Sequence, residues 1–225
     1  MYATNSSSSL GDSADPLVAA LADWASDDPR FAAFVAANTT KIRKKIRSAG
    51  DDDTRASLRF ELAVARALLR ERRIALAYEP LGQGKRRGPD FGATFKTHTP
   101  CGVEATRLRS THRLGDALAG KLAQLLPQQC NLIVLGSDDP LAPESLAQSM
   151  AQLKLRAERR DELLFERSGL RDAPEFFKHF GRLSALAVLP SAEGAAPAAV
   201  WHNPQARHPL PNDLRAAIER CLDAF

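Results

Sequence analysis

Apolar positions recur at helical spacing through the first third of the chain, then give way to short alternating or continuous runs. "PLVAALADWA" follows an Asp-Pro start signal and reads as a helix. "FAAFVAANTTKIRKKIRS" reads as a second, passing from an apolar half to a basic half before "AGDDDT" interrupts it. "DDDTRASLRFELAVARALLRERR" is a third, with acids at its start, arginines at its end and good helix formers between. Three strands follow, "IALAYEPLG", "PDFGATF" and "GVEATRL", the last two joined by the polar link "KTHTPC". A helix over about 112–126 leads to "NLIVLGS", a continuous apolar run that suits a buried strand.

Beyond it, "PESLAQSMAQLKLRAERRDELLFERSG" predicts one long helix stopped by Gly169, and "APEFFKHFGR" a short one. "LSALAVLP" and "AAVWHNP" predict two more strands, and "NDLRAAIERCLDAF" a closing helix capped by Asn212 or Asp213. No repeat of fixed period occurs. The expected class is α/β, with a mixed central sheet flanked by helices. One domain is expected overall: a disordered Ser-rich tail over 1–15, helices over 16–50, a core over 51–140, and helices and strands over 141–225 packed on it.

Composition narrows the class. The 225 residues are 44% hydrophobic, enough for one good core. No apolar run has the length of a membrane span and the N-terminus lacks a signal-peptide layout, so a cytoplasmic protein with no membrane partner is expected. Cys101, Cys130 and Cys221 are odd in number and lack C-x-x-C spacing, which suggests neither a disulfide framework nor a zinc ribbon. The five histidines show no metal-ligand spacing. Thirty-one Lys and Arg against 27 Asp and Glu permit an anionic partner, and "KIRKKIR", "KRR" and "RLRSTHR" concentrate the excess. "GQGKRRG" has glycines like a phosphate loop, but no Gly-Lys-Ser/Thr follows and it joins strand to strand, so it reads as a basic connector.

Candidate chemistry lies in "GPDFGATFKTHTPCGVEATRLR", residues 88–109. A hairpin centred near Thr97 sets Asp90 opposite Glu104, with Cβ atoms roughly 5 Å apart. Two such carboxylates repel, and a hard divalent cation relieves the repulsion by taking oxygens from both. On the preceding helix Phe60, Val64, Leu68 and Ala65 define an apolar arc, with Arg59, Arg66, Arg70 and Arg73 opposite. Glu61 falls inside that arc and needs a partner there, either a metal or its water, or an arginine such as Arg107.

A glutamate on the helix, "PD" opening the second strand and "VEAT" on the third, in the order helix, three strands, helix, strand, resembles the PD-(D/E)XK nuclease superfamily over about residues 54–137. The resemblance implies a restriction-endonuclease-like αβββαβ core with N-terminal helices and a C-terminal α/β extension. It also implies a metal-dependent nuclease. Asp90, Glu104 and Glu61 would then bind Mg²⁺ or Mn²⁺, with nucleic acid, DNA before RNA, as substrate.

The family's Glu-x-Lys is altered here to Glu104, Ala105, Thr106. Thr106 shares the strand face of Glu104 but has no charge, so a lysine must come from elsewhere. Lys96 shares the face of Asp90 but lies roughly 20 Å away along the strand. Arg107 points to the other face and cannot act as a base. Lys121 flanks the apolar stripe Leu114, Leu118, Leu122, Leu125, from which its ammonium can reach the sheet, with Gln124 one turn on as a helper. Lys121 is therefore the expected substitute, a snorkelling surface lysine being the alternative. Lys85, Arg86, Arg87 and Arg109 would track the phosphate backbone. The competing expectation is a catalytically silent member of the fold that binds nucleic acid or a protein.

Overall fold

A computed structural model describes residues 15–81, 88–108, 114–138, 141–190, 198–223 and 225. The described residues start with three helices, α1 (Pro16–Asp27), α2 (Pro29–Ala37) and α3 (Thr39–Ser48). Asp15, expected to belong to the tail, instead caps α1 by accepting the Leu17 N–H at 2.9 Å. Residues 1–14 lie outside the described residues. The predicted single helix over "FAAFVAANTTKIRKKIRS" is two, because Asn38 leaves helical geometry at φ −115°. Its side-chain amide donates to the Phe34 carbonyl at 2.8 Å, and the Thr39 hydroxyl donates to the Val35 carbonyl at 3.0 Å. Local side-chain bonds of this kind compete with the helix ladder.

The sheet region runs α4 (Asp52–Leu69), β1 (Ile74–Tyr78), β2 (Phe91–Phe95), β3 (Thr99–Leu108), α5 (Leu114–Leu122), β4 (Cys130–Ser137). Asp51 caps α4 by accepting the Thr54 N–H at 2.7 Å, and Asp52 and Asp53 sit in its first turn where the helix dipole favours them. The remainder is α6 (Pro143–Glu158), α7 (Glu162–Ser168), α8 (Ala173–Phe180), β5 (Ala185–Pro190), β6 (Ala199–His202) and α9 (Asn212–Asp223). The long helix expected over 143–169 is divided. Arg160 adopts φ 57°, and Asp161 starts α7 by accepting the Leu164 N–H, its other oxygen held 2.7 Å from Arg156 Nε. Gly169, at φ 68°, ends α7 as the left-handed residue.

The described strands form one six-stranded sheet in the order β1-β2-β3-β4-β5-β6. β1, β2 and β3 are antiparallel, β3, β4 and β5 parallel, and β6 antiparallel to β5. Strand β3 begins at Thr99, inside the link expected over 96–101. Within that link only Lys96 and Thr97 take positive φ, 49° and 68°, and the His98 N–H closes the turn on the Phe95 carbonyl at 3.3 Å. Pro100 is tolerated because β4 joins β3 only from Cys101 onward.

Side-chain alternation divides the core into two layers. Val103, Ala105, Leu132, Val134, Ala185 and Ala187 pack beneath α1 to α4 and α9. Ile133, Leu135, Leu186 and Val188 pack beneath α5 to α8. β4 is buried on both faces, as its unbroken apolar run requires. The first layer is tied together by Arg30 of α2. Its guanidinium donates to the Leu69 carbonyl, to the Glu71 carbonyl at 2.7 Å and to the Ile74 carbonyl at 2.6 Å, satisfying groups at and beyond the end of α4. No described helix is long and apolar enough to cross a membrane.

Gly136 lets α4 approach the sheet. A Cβ there would stand 2.7 Å from the Phe60 ring, inside van der Waals contact. Gly136→Ala should therefore destabilise the protein by about 1–3 kcal/mol through overpacking. Adding Phe60→Leu should recover part of that loss in a denaturant titration, whereas equal melting of wild type and Gly136→Ala would contradict the contact.

Candidate functional site

The β2–β3 register pairs Phe91 with Val103 and Phe95 with Thr99, and is centred on Thr97. Continued by one residue, it sets Asp90 opposite Glu104. The two are interlocked through backbone. Asp90 Oδ2 accepts the Ala105 N–H at 2.9 Å, and Glu104 Oε2 accepts the Asp90 N–H at 3.3 Å. The Asp90 carbonyl also accepts the Glu79 N–H at 2.7 Å, which brings the end of β1 to the same place.

Glu104 is 1% exposed and belongs to the α5 face of the sheet, since its neighbours Val103 and Ala105 belong to the other. Buried Leu114, Leu118 and Leu122 seat α5 on that face. Lys121, on the flank of this stripe, puts its ammonium 2.5 Å from Glu104 Oε1. Burial, and after it the charge of Asp90, pushes the Glu104 carboxyl up to about 7, with Lys121 acting in the opposite direction. The site is therefore rich in oxygen and short of positive charge.

Glu61 faces inward, as its place on the α4 wheel predicts. Its partner is not Arg107. Glu61 Oε1 accepts from Lys45 Nζ at 2.7 Å and from the Tyr78 hydroxyl at 2.6 Å. Burial and then the charge of Asp90 raise the proton affinity of Glu61, while Lys45 opposes both. Lys45 also lies 3.1 Å from Glu79 Oε1 and 4.9 Å from the centre of the Tyr78 ring. Lys45, Tyr78 and Glu79 were not singled out from the sequence. The available signal was the pair Ile42 and Ile46, which mark the buried side of α3 and leave Lys41 and Lys45 flanking it.

Arg107, on the far side of β3, reaches Asp53 Oδ1 at 3.3 Å and Asp138 Oδ2 at 3.1 Å. Lys96 pairs with Asp213 at the hairpin tip, at 2.6 Å. Thr106 follows Glu104 on the same face, half-buried and in register with Leu135. Gln124 Oε1 is buried with no hydrogen-bond partner among the described residues. Lys85, Arg86, Arg87 and Arg109 lie outside the described residues. A cavity of about 560 Å³ is lined by Asp15, Leu17, Asp52, Arg55 and Arg59, and Asp90, Glu104 and Glu61 are not among its described lining residues.

Among the described residues, no group of three or more His, Cys, Asp and Glu side chains is placed to hold a metal ion. The acids form a pair, Asp90 with Glu104, and Glu61 is engaged by Lys45. The pair nonetheless fits a hard divalent cation in its donor chemistry. Such an ion relieves the repulsion by which the charge of Asp90 raises the proton affinity of Glu104, and magnesium commonly takes only one or two protein carboxylates.

In the metal-free protein, protonated Glu104 is favoured by folding. Its contribution to stability is thus full below about 4.5 and is lost as pH rises through about 7. Chemical denaturation should show wild type losing on the order of 1–3 kcal/mol relative to Glu104→Gln between pH 4.5 and 7.5. Parallel pH profiles for the two proteins would mean that Glu104 titrates normally. Comparison with known protein families, with curated proteins and with solved structures gave no match to this chain.

Proposed function

We propose that the chain is a metal-dependent nuclease, a phosphodiesterase acting on nucleic acid, with DNA the preferred substrate. The carrying observation is the convergence of Asp90, just before β2, with Glu104 of β3 and the Lys121 ammonium of α5. The order α4, β1, β2, β3, α5, β4 also supports the reading. The strands of this segment are mixed in direction, antiparallel from β1 to β3 and parallel from β3 to β4, which is compatible with the αβββαβ core that the resemblance implies.

Asp90 and Glu104 are the residues that would hold Mg²⁺ or Mn²⁺. Such an ion supplies a water of lowered pKa and polarises the phosphoryl oxygens. The protein's own part is positional. The backbone N–H of Ala105 orients Asp90, and Lys121 opposes the protonation of Glu104 that burial favours while offering positive charge beside the reacting phosphate. In this reading Lys121 replaces the missing motif lysine from another element. Lys85, Arg86, Arg87 and Arg109 are assigned to the phosphate backbone, which makes binding salt-dependent.

A second reading, a silent module that binds nucleic acid or protein, is favoured by one observation. Thr106 stands in the motif position and carries no charge. Against it, a binder of phosphates has no use for a carboxylate pair, one member of it buried, that repels them.

Purified protein should cleave linear or circular DNA with Mg²⁺ or Mn²⁺, and Asp90→Ala should abolish that cleavage. Lys121→Met should lower turnover by about 10²-fold or more while changing Mn²⁺ affinity far less. Nucleic-acid binding without any cleavage, in wild type and Asp90→Ala alike, would favour the silent module.

A further inference from the structure

The basic helix α3 meets the acid cluster from the side opposite α5. Ile42 and Ile46 are 0% and 5% exposed and fix one face of α3 in the core. Lys41 Nζ donates to the Tyr78 carbonyl at 2.5 Å and to the Glu79 carbonyl at 3.3 Å, fastening the helix to the end of β1. That end is itself constrained. Glu79 adopts φ 45°, uncommon for a residue with a Cβ, and its N–H is held by the Asp90 carbonyl. Lys45, one turn beyond Lys41, is thereby set between Glu61 and Glu79, at 2.7 and 3.1 Å.

An ammonium has three donors and no acceptor, and two of its directions here meet carboxylates. The ammonium and the Tyr78 hydroxyl both hold Glu61 Oε1, so a divalent ion seeking Glu61 through either oxygen would meet the charge of Lys45 beside it. Resting on the nuclease reading above, we propose that Lys45 is a positioning residue of the site. It is a tethered cation that holds Glu61 in a cation's stead, so that the ion of that reading is held by Asp90 and Glu104 without Glu61. The N-terminal helices are then part of the site, and the site takes one ion where three acids could have drawn two.

The test is calorimetric titration of the full chain with Mn²⁺ alone, without nucleic acid. Lys45→Met should bind Mn²⁺ at least 10-fold more tightly than wild type, or take up a second equivalent. Adding Glu61→Gln to that variant should cancel the gain, and Lys45→Arg, which keeps the charge, should resemble wild type. Folded Lys45→Met with unchanged affinity and stoichiometry would overturn the proposal. If Lys45→Met does not fold, Glu61→Gln decides: affinity within about twofold of wild type supports the proposal, and a 10-fold loss places Glu61 on the ion and overturns it. The nuclease reading fails separately, if wild type binds no Mn²⁺ or if Asp90→Ala binds it equally well. A Lys45→Met variant that gained a Glu61-dependent site in such a protein would still support the role of Lys45.

Discussion

Two carboxylates set opposite each other on neighbouring strands, one of them dry, cannot both be ionised without nearby positive charge. The β2–β3 register imposes that condition on Asp90 and Glu104, and the surrounding elements answer it in part. Lys121 meets Glu104 from α5, and the backbone N–H groups of Ala105 and Asp90 supply partial positive charge from within the hairpin. The answer is incomplete, since the Glu104 carboxyl still rises to about 7. Moving Glu104 to the other face by a one-residue slip would relieve the electrostatics but turn every apolar residue of β3 the wrong way. Packing therefore holds in place a charge arrangement that electrostatics alone would reject.

The N-terminal helices deal with the second acid in the same way. Glu61 lies on the buried side of α4 because its neighbours Phe60, Leu62 and Val64 fill the first core layer. The attraction of Lys45 has to offset the desolvation of both groups. Arg30 and Lys41 hold α2 and α3 against the backbone at the two ends of β1, at Ile74 and at Tyr78. These contacts join positions more than 30 residues apart, so this part of the site forms only when the helices dock on the sheet.

Legibility in the sequence followed the range of the interactions. The opposition of Asp90 and Glu104 could be counted from a hairpin centre because side chains alternate with a period of 2. The inward turn of Glu61 and the flanking place of Lys121 followed from wheels on amphipathic helices. The partner of Glu61 did not. Lys45 and Arg43 stand at similar angles, about 80° on either side of the direction set by Ile42 and Ile46, and only tertiary docking selects the lysine. The breaks at Asn38 and Arg160 were missed for a local reason. Both sequences favour helix on either side, and the interruption depends on side-chain bonds of Asn38, Thr39 and Asp161 that composition does not distinguish from solvated ones.

Charge at the site is distributed by element. The strands, the residues flanking them and α4 bring acids, Glu104, then Asp90 and Glu79, then Glu61, while the ammonium groups come from helices on opposite sides, Lys45 from α3 and Lys121 from α5. Each lysine is attached to a different acid, so a displacement of α3 would unmask Glu61 and Glu79 and leave Glu104 paired. A displacement of α5 would do the reverse. The two helices thus govern separate halves of one electrostatic cluster, and Asp90, whose charge raises the proton affinity of both Glu61 and Glu104, is the group through which the halves are coupled.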